Sequence, residues 1–277
     1  MQAAFSCAPK GCVNVVISVD REVSVTWANH YRVKRQDSNS CDCCPSPGPR
    51  SCKEIHDKYQ TTENKAYTLQ FGSQNVPVYC SMDGVDLGDC GCGGWTLVMK
   101  IDGSKRTFHY DSSYWTDKKA YGIPEGETGL DQKETKLPTY WNTPFTRICL
   151  GMKIGHETRF IVLEKKASSL YALIQDGKYR PTSLGRDAWK NLIGPEASLQ
   201  HNCNREGFNV IADNSLNAKA RIGFITNQEN DCNSPDSRIG FGTGGNQDDS
   251  NTCGNEALYS PDNGDKHIKA MGYILIQ

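Results

Sequence analysis

Apolar residues alternate with polar or small residues at several places along this chain of 277 residues. Every second residue is apolar from 76 to 82 and again from 95 to 101, a period that predicts two strands, each with one buried face. The turn-rich segment between them ends in Gly93 and Gly94, where the chain must reverse with no side chain in the way. The pattern therefore predicts a hairpin with a glycine corner, behind which Trp95 fills the core.

The remaining elements are indicated by the same periodicity and by helix-capping signals. Further strands with a period of two are predicted at 67–71, 148–154, 160–162, 208–210 and 222–224. The run MGYILI before Gln277 predicts a strand that is buried on both faces. Ser51 and Glu54 form a capping box that starts a short helix, and residues 184–193 predict a second helix that Gly194 ends. We therefore expect an α+β fold with a twisted antiparallel sheet and few short helices.

Thirteen cysteines are too many for an ordinary cytosolic chain and indicate an oxidising, extracellular compartment. Because the number is odd, one thiol is free, pairs with another chain, or has its partner in sequence not present here. No stretch approaches the roughly 18 apolar residues that span a bilayer. The N-terminus is a poor signal peptide because Pro9, Lys10 and Gly11 interrupt its apolar run. We expect a secreted protein whose export signal lies outside this sequence.

Residues 1–50 differ from the rest and are expected to form a partial N-terminal segment and a linker rich in cysteine and proline. Cys41 and Cys44 have the spacing of half a zinc site, but no second pair lies at a convincing distance. Disulfides are therefore favoured, including bonds between chains in a disulfide-linked oligomer. Residues 32–35, Arg-Val-Lys-Arg, have the basic pattern that secretory convertases cut, which makes Arg35 a candidate processing site. The alternative is a solvated basic turn.

Several motifs resemble one family of secreted proteins. The start of fibrinogen-related domains, including the intelectin branch of lectins, is similar to SCKEIHDKY at 51–59, YCSM at 79–82 and CGCGGWTLVMKI at 90–101. Three further stretches resemble fibrinogen-like secreted proteins of corals and their relatives, among them proteins of the coral skeletal organic matrix. The stretches are FHYDSSYWT at 108–116, ETKLPTYWNTPFTRICLGMK at 134–153 and DSRIGFGTGGNQDDSNTCGNEA at 236–257. The resemblance implies a fibrinogen C-terminal-like domain over residues 51–277 with long disulfide-pinned loops, and a disulfide between Cys52 and Cys80.

The segment 229–265 is acidic, with eight Asp or Glu residues against one base, Arg238, and it contains six glycines and six asparagines. We interpret it as a flexible, oxygen-rich loop region closed by Cys232 and Cys253. Calcium takes about six to eight oxygen ligands of this kind. A calcium site is therefore predicted, with four aspartates as its candidate ligands: Asp231, Asp236, Asp248 and Asp249. The alternative is a solvated acidic loop, because EF-hand spacing and the paired aspartates of fibrinogen domains are both missing.

Other sequence features bear on the class of function. Aromatic residues are frequent between 108 and 141 and offer flat faces to a sugar, with core packing as the alternative. The six histidines belong to no H-E-x-x-H pair and no G-x-S-x-G elbow occurs, so we do not expect an enzyme. The net charge of −1 gives no reason to expect nucleic acid or an anionic membrane as a partner.

The predicted function is binding in the extracellular matrix, as a structural part of a biomineral (skeletal) organic matrix. Acidic loops would contact matrix proteins or a calcium-bearing mineral surface, because such contact is electrostatic and needs exposed carboxylates more than a shaped pocket. The alternative is a calcium-dependent, carbohydrate-binding lectin of innate immunity that holds a glycan through calcium and an aromatic wall. An unrecognised hydrolase is a third hypothesis, since residues of a catalytic triad can meet only in the fold.

Overall fold

The structure, a computed structural model, describes residues 48–277. The expectations for Cys41, Cys44 and Arg35 lie outside the described residues. Within them the chain forms short helices and two antiparallel sheets. The helices are α1 Cys52–Tyr59, α2 Thr139–Asn142, α3 Leu170–Ile174 and α4 Arg186–Ile193. The strands are β1 Lys65–Phe71, β2 Gln74–Ser81, β3 Trp95–Asp102, β4 Thr135–Lys136, β5 Phe145–Ile154, β6 Glu157–Ala167, β7 Arg180–Pro181, β8 Asn202–Ile211, β9 Lys219–Asn227, β10 Ser237–Gly244, β11 Cys253–Ala257, β12 Lys266–Lys269 and β13 Met271–Ile276.

The first sheet has β13, the last strand of the chain, near its centre. Its strand order is β1-β2-β3-β13-β5-β6, and β4 pairs with β3. All six residues of β13 are buried. Tyr273 and Leu275 pack into one apolar cluster with Trp95. Ile274 and Ile276 pack on the other face, into the larger cluster to which both sheets contribute. The prediction of a strand buried on both faces is confirmed.

The second sheet, in the order β12-β11-β10-β9-β8-β7, contains much of the segment that was expected to be a flexible acidic loop. Every residue of β10 and β11 is buried, so that expectation is wrong for these strands. Gly223 of β9 and Gly240 of β10 lie opposite each other, and a Cβ at Gly240 would lie 2.6 Å from the carbonyl oxygen of Ile222. The glycines of β10 are therefore required by close packing inside a sheet.

Gly93 and Gly94 form the predicted corner before β3. A Cβ at Gly93 would lie 1.4 Å from the carbonyl oxygen of Met82, and Gly94 has a φ of +87°, which favours glycine. Trp95 is fully buried, and its Nε1 donates a hydrogen bond to a backbone carbonyl of the preceding turn. The connection contains a 3-10 helix, Val85–Cys90, and β2 and β3 share two residue pairs beyond it. The hairpin is as predicted, but its paired part is short.

The two helices predicted from capping signals both occur. Ser51 Oγ accepts a hydrogen bond from the backbone N of Glu54 at 3.2 Å. The Glu54 carboxylate reaches back to the backbone N of Arg50 at 2.7 Å, one residue before the expected one. The second predicted helix is α4, which begins at Arg186 and ends before Gly194. No helix in residues 48–277 is long and apolar enough to cross a membrane.

Three disulfides pin the described chain: Cys52–Cys80, Cys90–Cys149 and Cys203–Cys232. The first is the pair that the family resemblance implies. The expected closure of the acidic segment by Cys232 and Cys253 is wrong, because Cys232 is bonded to Cys203 of β8 and Cys253 is a buried thiol. Cys253 points into the interior, where a Cβ at Gly272 of β13 would lie 2.5 Å from its Sγ. It is therefore directed away from the surface loop that carries Cys232.

Three of the aromatic residues considered for sugar stacking belong to the core. Phe108, Trp115 and Tyr140 are fully buried. Their rings pack edge to face, with centroids 6.4 Å apart for Phe108 and Trp115 and 6.3 Å apart for Trp115 and Tyr140. The core-packing alternative therefore holds for these rings.

Candidate functional site

Three neighbouring strands of the second sheet place ionisable side chains in one row. In the antiparallel register, Arg238 of β10 lies opposite Glu256 of β11, and Glu256 lies opposite His267 of β12. Directly opposed residues carry their side chains on the same face of a sheet. The row runs from the interior to the surface: Arg238 and Glu256 are 1% and 0% exposed, whereas the His267 side chain is 55% exposed.

Arg238 brings a loop across this row. Its guanidinium donates hydrogen bonds to the carbonyl oxygens of Asn246 at 3.1 Å and Asp248 at 2.5 Å. Burial lowers the pKa of Arg238 to about 10, and the nearby carboxylate of Glu256 opposes this shift. The side chain is therefore a buried cation at neutral pH. By holding the loop 245–252 through its backbone, it keeps Asp248 beside Glu256.

Asp248, Glu256 and His267 form a three-ligand group. One donor atom from each lies within 4.8 Å of the others. Glu256 Oε1 is 2.5 Å from His267 Nδ1, but this contact is not aligned as a hydrogen bond, and Oε1 has no hydrogen-bond partner among the described residues. Burial raises the pKa of Glu256, and the adjacent Arg238 opposes that rise. Within the described chain this acidic oxygen is thus paired with the imidazole of His267 alone.

The four aspartates predicted as calcium ligands do not form one site. Asp231 accepts hydrogen bonds from Asn227 and Asn233, and Asp236 is buried and accepts from two glutamine side chains. Asp249 accepts from His109 Nε2 at 2.8 Å. Among residues 48–277 no three of the four lie close enough to share an ion, and Asp248 alone joins a three-ligand group. A single calcium ion therefore does not fit the predicted set.

Glu256 and His267 were missed as candidate ligands, because their proximity depends on strand register. In the sequence Glu256 is one acid among eight in the segment 229–265, and His267 is one of six scattered histidines. The polar and charged residues of β12, Lys266, His267 and Lys269, are a usable sign of an edge strand. The pairing of that strand with β11 is visible only in the fold.

Basic residues from other elements neutralise part of the acidic segment. Asp262 lies 2.8 Å from both Arg186 and Lys190 of α4, and Asp249 lies 3.1 Å from Arg106. Three exposed acids of the segment have no ion pair within the described chain: Glu229, Asp231 and Asp265. The end of β9, the start of β10 and the end of β11 align, so the loops that carry these acids leave the same end of the sheet. We call Glu229, Asp231 and Asp265 the acidic end.

No family model matches the sequence. Among solved structures, the fibrinogen-like globe domain of human ANGPTL6 is similar, with 23% sequence identity and a TM-score of 0.29. The match covers 43% of this chain and 50% of that one, so the chain spans half the length of the domain it matches. The described residues themselves have an α+β architecture of mostly antiparallel sheets, few short helices and loops pinned by three disulfides. Disulfides of this number indicate an extracellular protein.

Proposed function

We propose that the protein is a secreted, non-catalytic binding and structural component of the extracellular matrix, related to fibrinogen-like domains and associated with a calcium-bearing mineral. The observation that supports this proposal is the acidic end, where three exposed carboxylates with no ion pair among residues 48–277 lie on loops at one end of a sheet. Contact with a mineral surface is electrostatic and tolerates variation in sequence. Carboxylates that face solvent are the groups that such contact requires.

The loops of the acidic end are held in place, which favours contact at a fixed spacing. The disulfide Cys203–Cys232 ties one of them to β8. Gln200 lies between the loops and donates hydrogen bonds to Asp236 Oδ2 at 3.3 Å and to the carbonyl oxygen of Tyr259 at 3.1 Å. Less conformational entropy is lost on binding when the binding groups are ordered beforehand.

Adsorption of the full chain to calcium carbonate powder tests the proposal. We expect the triple variant Glu229→Gln, Asp231→Asn, Asp265→Asn to adsorb severalfold more weakly than the wild type. The matched control removes three exposed acids from other surfaces, through Asp89→Asn, Glu127→Gln and Glu164→Gln. Both variants change the net charge equally, so equal loss of adsorption in the two would show that overall charge, and not the acidic end, is responsible.

A glycan is the second candidate partner, because the described chain contains a polar groove of about 1030 Å³. The groove lies between the 3-10 helix Val85–Cys90 and α4. It is lined by carboxylates and amides that can bind sugar hydroxyls: Asp86, Asp89, Asp187, Asn191, Asp262 and Asn263. A glycan array probed with and without a chelator separates this candidate from mineral binding. Chelator-sensitive binding of one glycan class, with no adsorption to mineral, would favour the lectin.

A further inference from the structure

We propose that Asp248, Glu256 and His267 form a binding site for a divalent cation of the zinc class, such as Zn²⁺ or Mn²⁺, and that the site discriminates against calcium. The site shares no residue with the acidic end, so this inference stands or falls independently of the proposed function.

The three side chains have oxygen and nitrogen atoms that the protein leaves available. Glu256 is fully buried, and the one polar partner of its Oε1 among residues 48–277 is His267 Nδ1, in an ion pair at 2.5 Å that is not aligned as a hydrogen bond. A buried carboxylate oxygen without a hydrogen bond costs free energy, and an ion shared with the imidazole would satisfy it. Asp248 uses Oδ1 to accept hydrogen bonds from the backbone N and the hydroxyl of Ser250, at 2.9 and 2.6 Å. These bonds orient the carboxylate and leave its second oxygen for an ion.

The donor set decides the class of ion. Calcium prefers about six to eight oxygen ligands, and an imidazole nitrogen is unsuited to it. Zinc is bound by histidine nitrogen together with Asp or Glu oxygen, usually with four ligands in all, and manganese accepts the same donor types. Two carboxylates and one imidazole therefore match an ion of this class. Three protein ligands leave one position for water or for a group from a partner.

The two bases near the site, Arg238 and Lys269, leave its carboxylate oxygens available to a cation. The hydrogen bonds of its guanidinium are made to the carbonyl oxygens of the loop 245–252, so the carboxylate oxygens of Asp248 and Glu256 are not consumed by it. Lys269, the other nearby base, donates to the Ser250 hydroxyl at 2.8 Å. The charges of the two carboxylates thus balance those of Arg238 and Lys269, and the free carboxylate oxygens, not a net charge, are what the site offers to an ion.

The site is accessible from one side. His267 lies on β12, the edge strand of the second sheet, and its side chain is 55% exposed. Asp248 is partly exposed and Glu256 forms the closed interior wall. An ion can therefore enter past the imidazole without opening the fold, and the free coordination position faces solvent.

The experiment is a titration of the full, oxidised chain with Zn²⁺ and, separately, Mn²⁺ by calorimetry, after alkylation of accessible thiols so that free cysteines do not contribute. We expect one chelator-sensitive ion for each chain at this site, a rise in the melting temperature on binding, and no displacement by millimolar calcium. His267→Gln and Asp248→Asn should each weaken binding about tenfold or more, since even an outer partner of a metal ligand is worth about 10–100-fold. Both positions are accessible enough for the variants to fold.

The matched control is His156→Gln, which changes an exposed histidine on a turn far along the chain from the site. It should bind the ions as the wild type does. Unchanged affinity in His267→Gln, or equal binding of calcium and zinc by the wild type, would overturn the proposal. The first result would show that the imidazole is not a ligand, and the second would indicate a site made of oxygen atoms alone.

Discussion

At the scale of single residues, the buried Arg238 determines the geometry of the candidate site. It holds the loop 245–252 through two carbonyl oxygens and lies beside the buried carboxylate of Glu256. A buried charge whose partner is removed is strongly destabilising, because the remaining charge has lost its compensation. Arg106 contacts the same loop through the carbonyl oxygen of Asp249 at 2.8 Å, but its side chain is 59% exposed. The two arginines thus form a natural comparison.

We predict that Arg238→Leu lowers the free energy of unfolding by about 3–5 kcal/mol, because it removes the buried cation nearest to Glu256 together with the two hydrogen bonds that hold the loop 245–252. Arg106→Leu should cost no more than about 1 kcal/mol, as is usual for an exposed ion pair. Unfolding in urea, followed by circular dichroism, measures both values. Similar costs for the two variants would show that Arg238 does not compensate a buried carboxylate.

Residues with a local signal were predictable, and residues that depend on strand register were not. Gly93 and Trp95 follow from the glycine pair at the end of a turn and the apolar alternation after it. The proposed metal ligands could not be predicted in this way, because Glu256 and His267 come together only through the pairing of β11 with β12. The disulfide partner of Cys232 has the same dependence, because Cys203 reaches it through the pairing of β8 with β9.

At the scale of elements, α4 is tied to the loop 258–265 by Asp262. Burial alone would raise the pKa of Asp262, but hydrogen bonds from Arg186 and Lys190 lower it to about 2. A carboxyl whose pKa is lower in the folded chain than in the unfolded chain stabilises the fold above the unfolded value of about 4. That stabilisation is lost as the pH falls from about 4 towards the folded pKa.

We predict that the free energy of unfolding of the wild type decreases between pH 4 and pH 2, and that Asp262→Asn makes this decrease shallower while lowering stability at pH 7. The control is Asp265→Asn, which alters an exposed acid of the same loop with no ion pair in the described chain. It should show the pH dependence of the wild type. Denaturant unfolding at several pH values gives the comparison, and parallel curves for Asp262→Asn and the wild type would contradict the prediction.

The secondary structure of the acidic segment 229–265 explains why the expectation of a flexible loop was wrong for part of it. Its composition, rich in glycine, asparagine and acids, is typical of loops. In β10, however, glycines alternate with Ile239 and Phe241, a period of two that indicates a strand. The composition of the segment therefore favours a loop where its periodicity favours a strand, and the bases that pair with its acids come from elsewhere in the fold, from α4 and from the loop of Arg106.

At the scale of the whole molecule, disulfides connect elements that are far apart in the sequence. Cys90–Cys149 joins the 3-10 helix after β2 to β5, which lies between β13 and β6 in the first sheet, over a separation of 59 residues. Such a bond restricts the unfolded chain, and the stabilisation grows slowly with the length of the loop that it closes. The bond was not predicted, because a turn and a strand so far apart give no local sign of contact.

We predict that the double variant Cys90→Ala, Cys149→Ala lowers the free energy of unfolding by about 4 kcal/mol, the value for a closed loop of this length. Cys92→Ser, which removes an exposed thiol outside the three bonds, should change it by less than about 0.5 kcal/mol. Urea unfolding without reductant measures both. A double variant as stable as the wild type would show that the bond does not limit the unfolded chain.

The burial of Cys253 makes its thiol a poor nucleophile for disulfide exchange. Burial raises the pKa of its thiol, and the thiolate is the species that attacks disulfides. Among residues 48–277 two thiols lie outside the three disulfides, the buried Cys253 and the exposed Cys92. Disulfide exchange that begins within these residues therefore has its nucleophile in Cys92, while the fold keeps Cys253 from reacting.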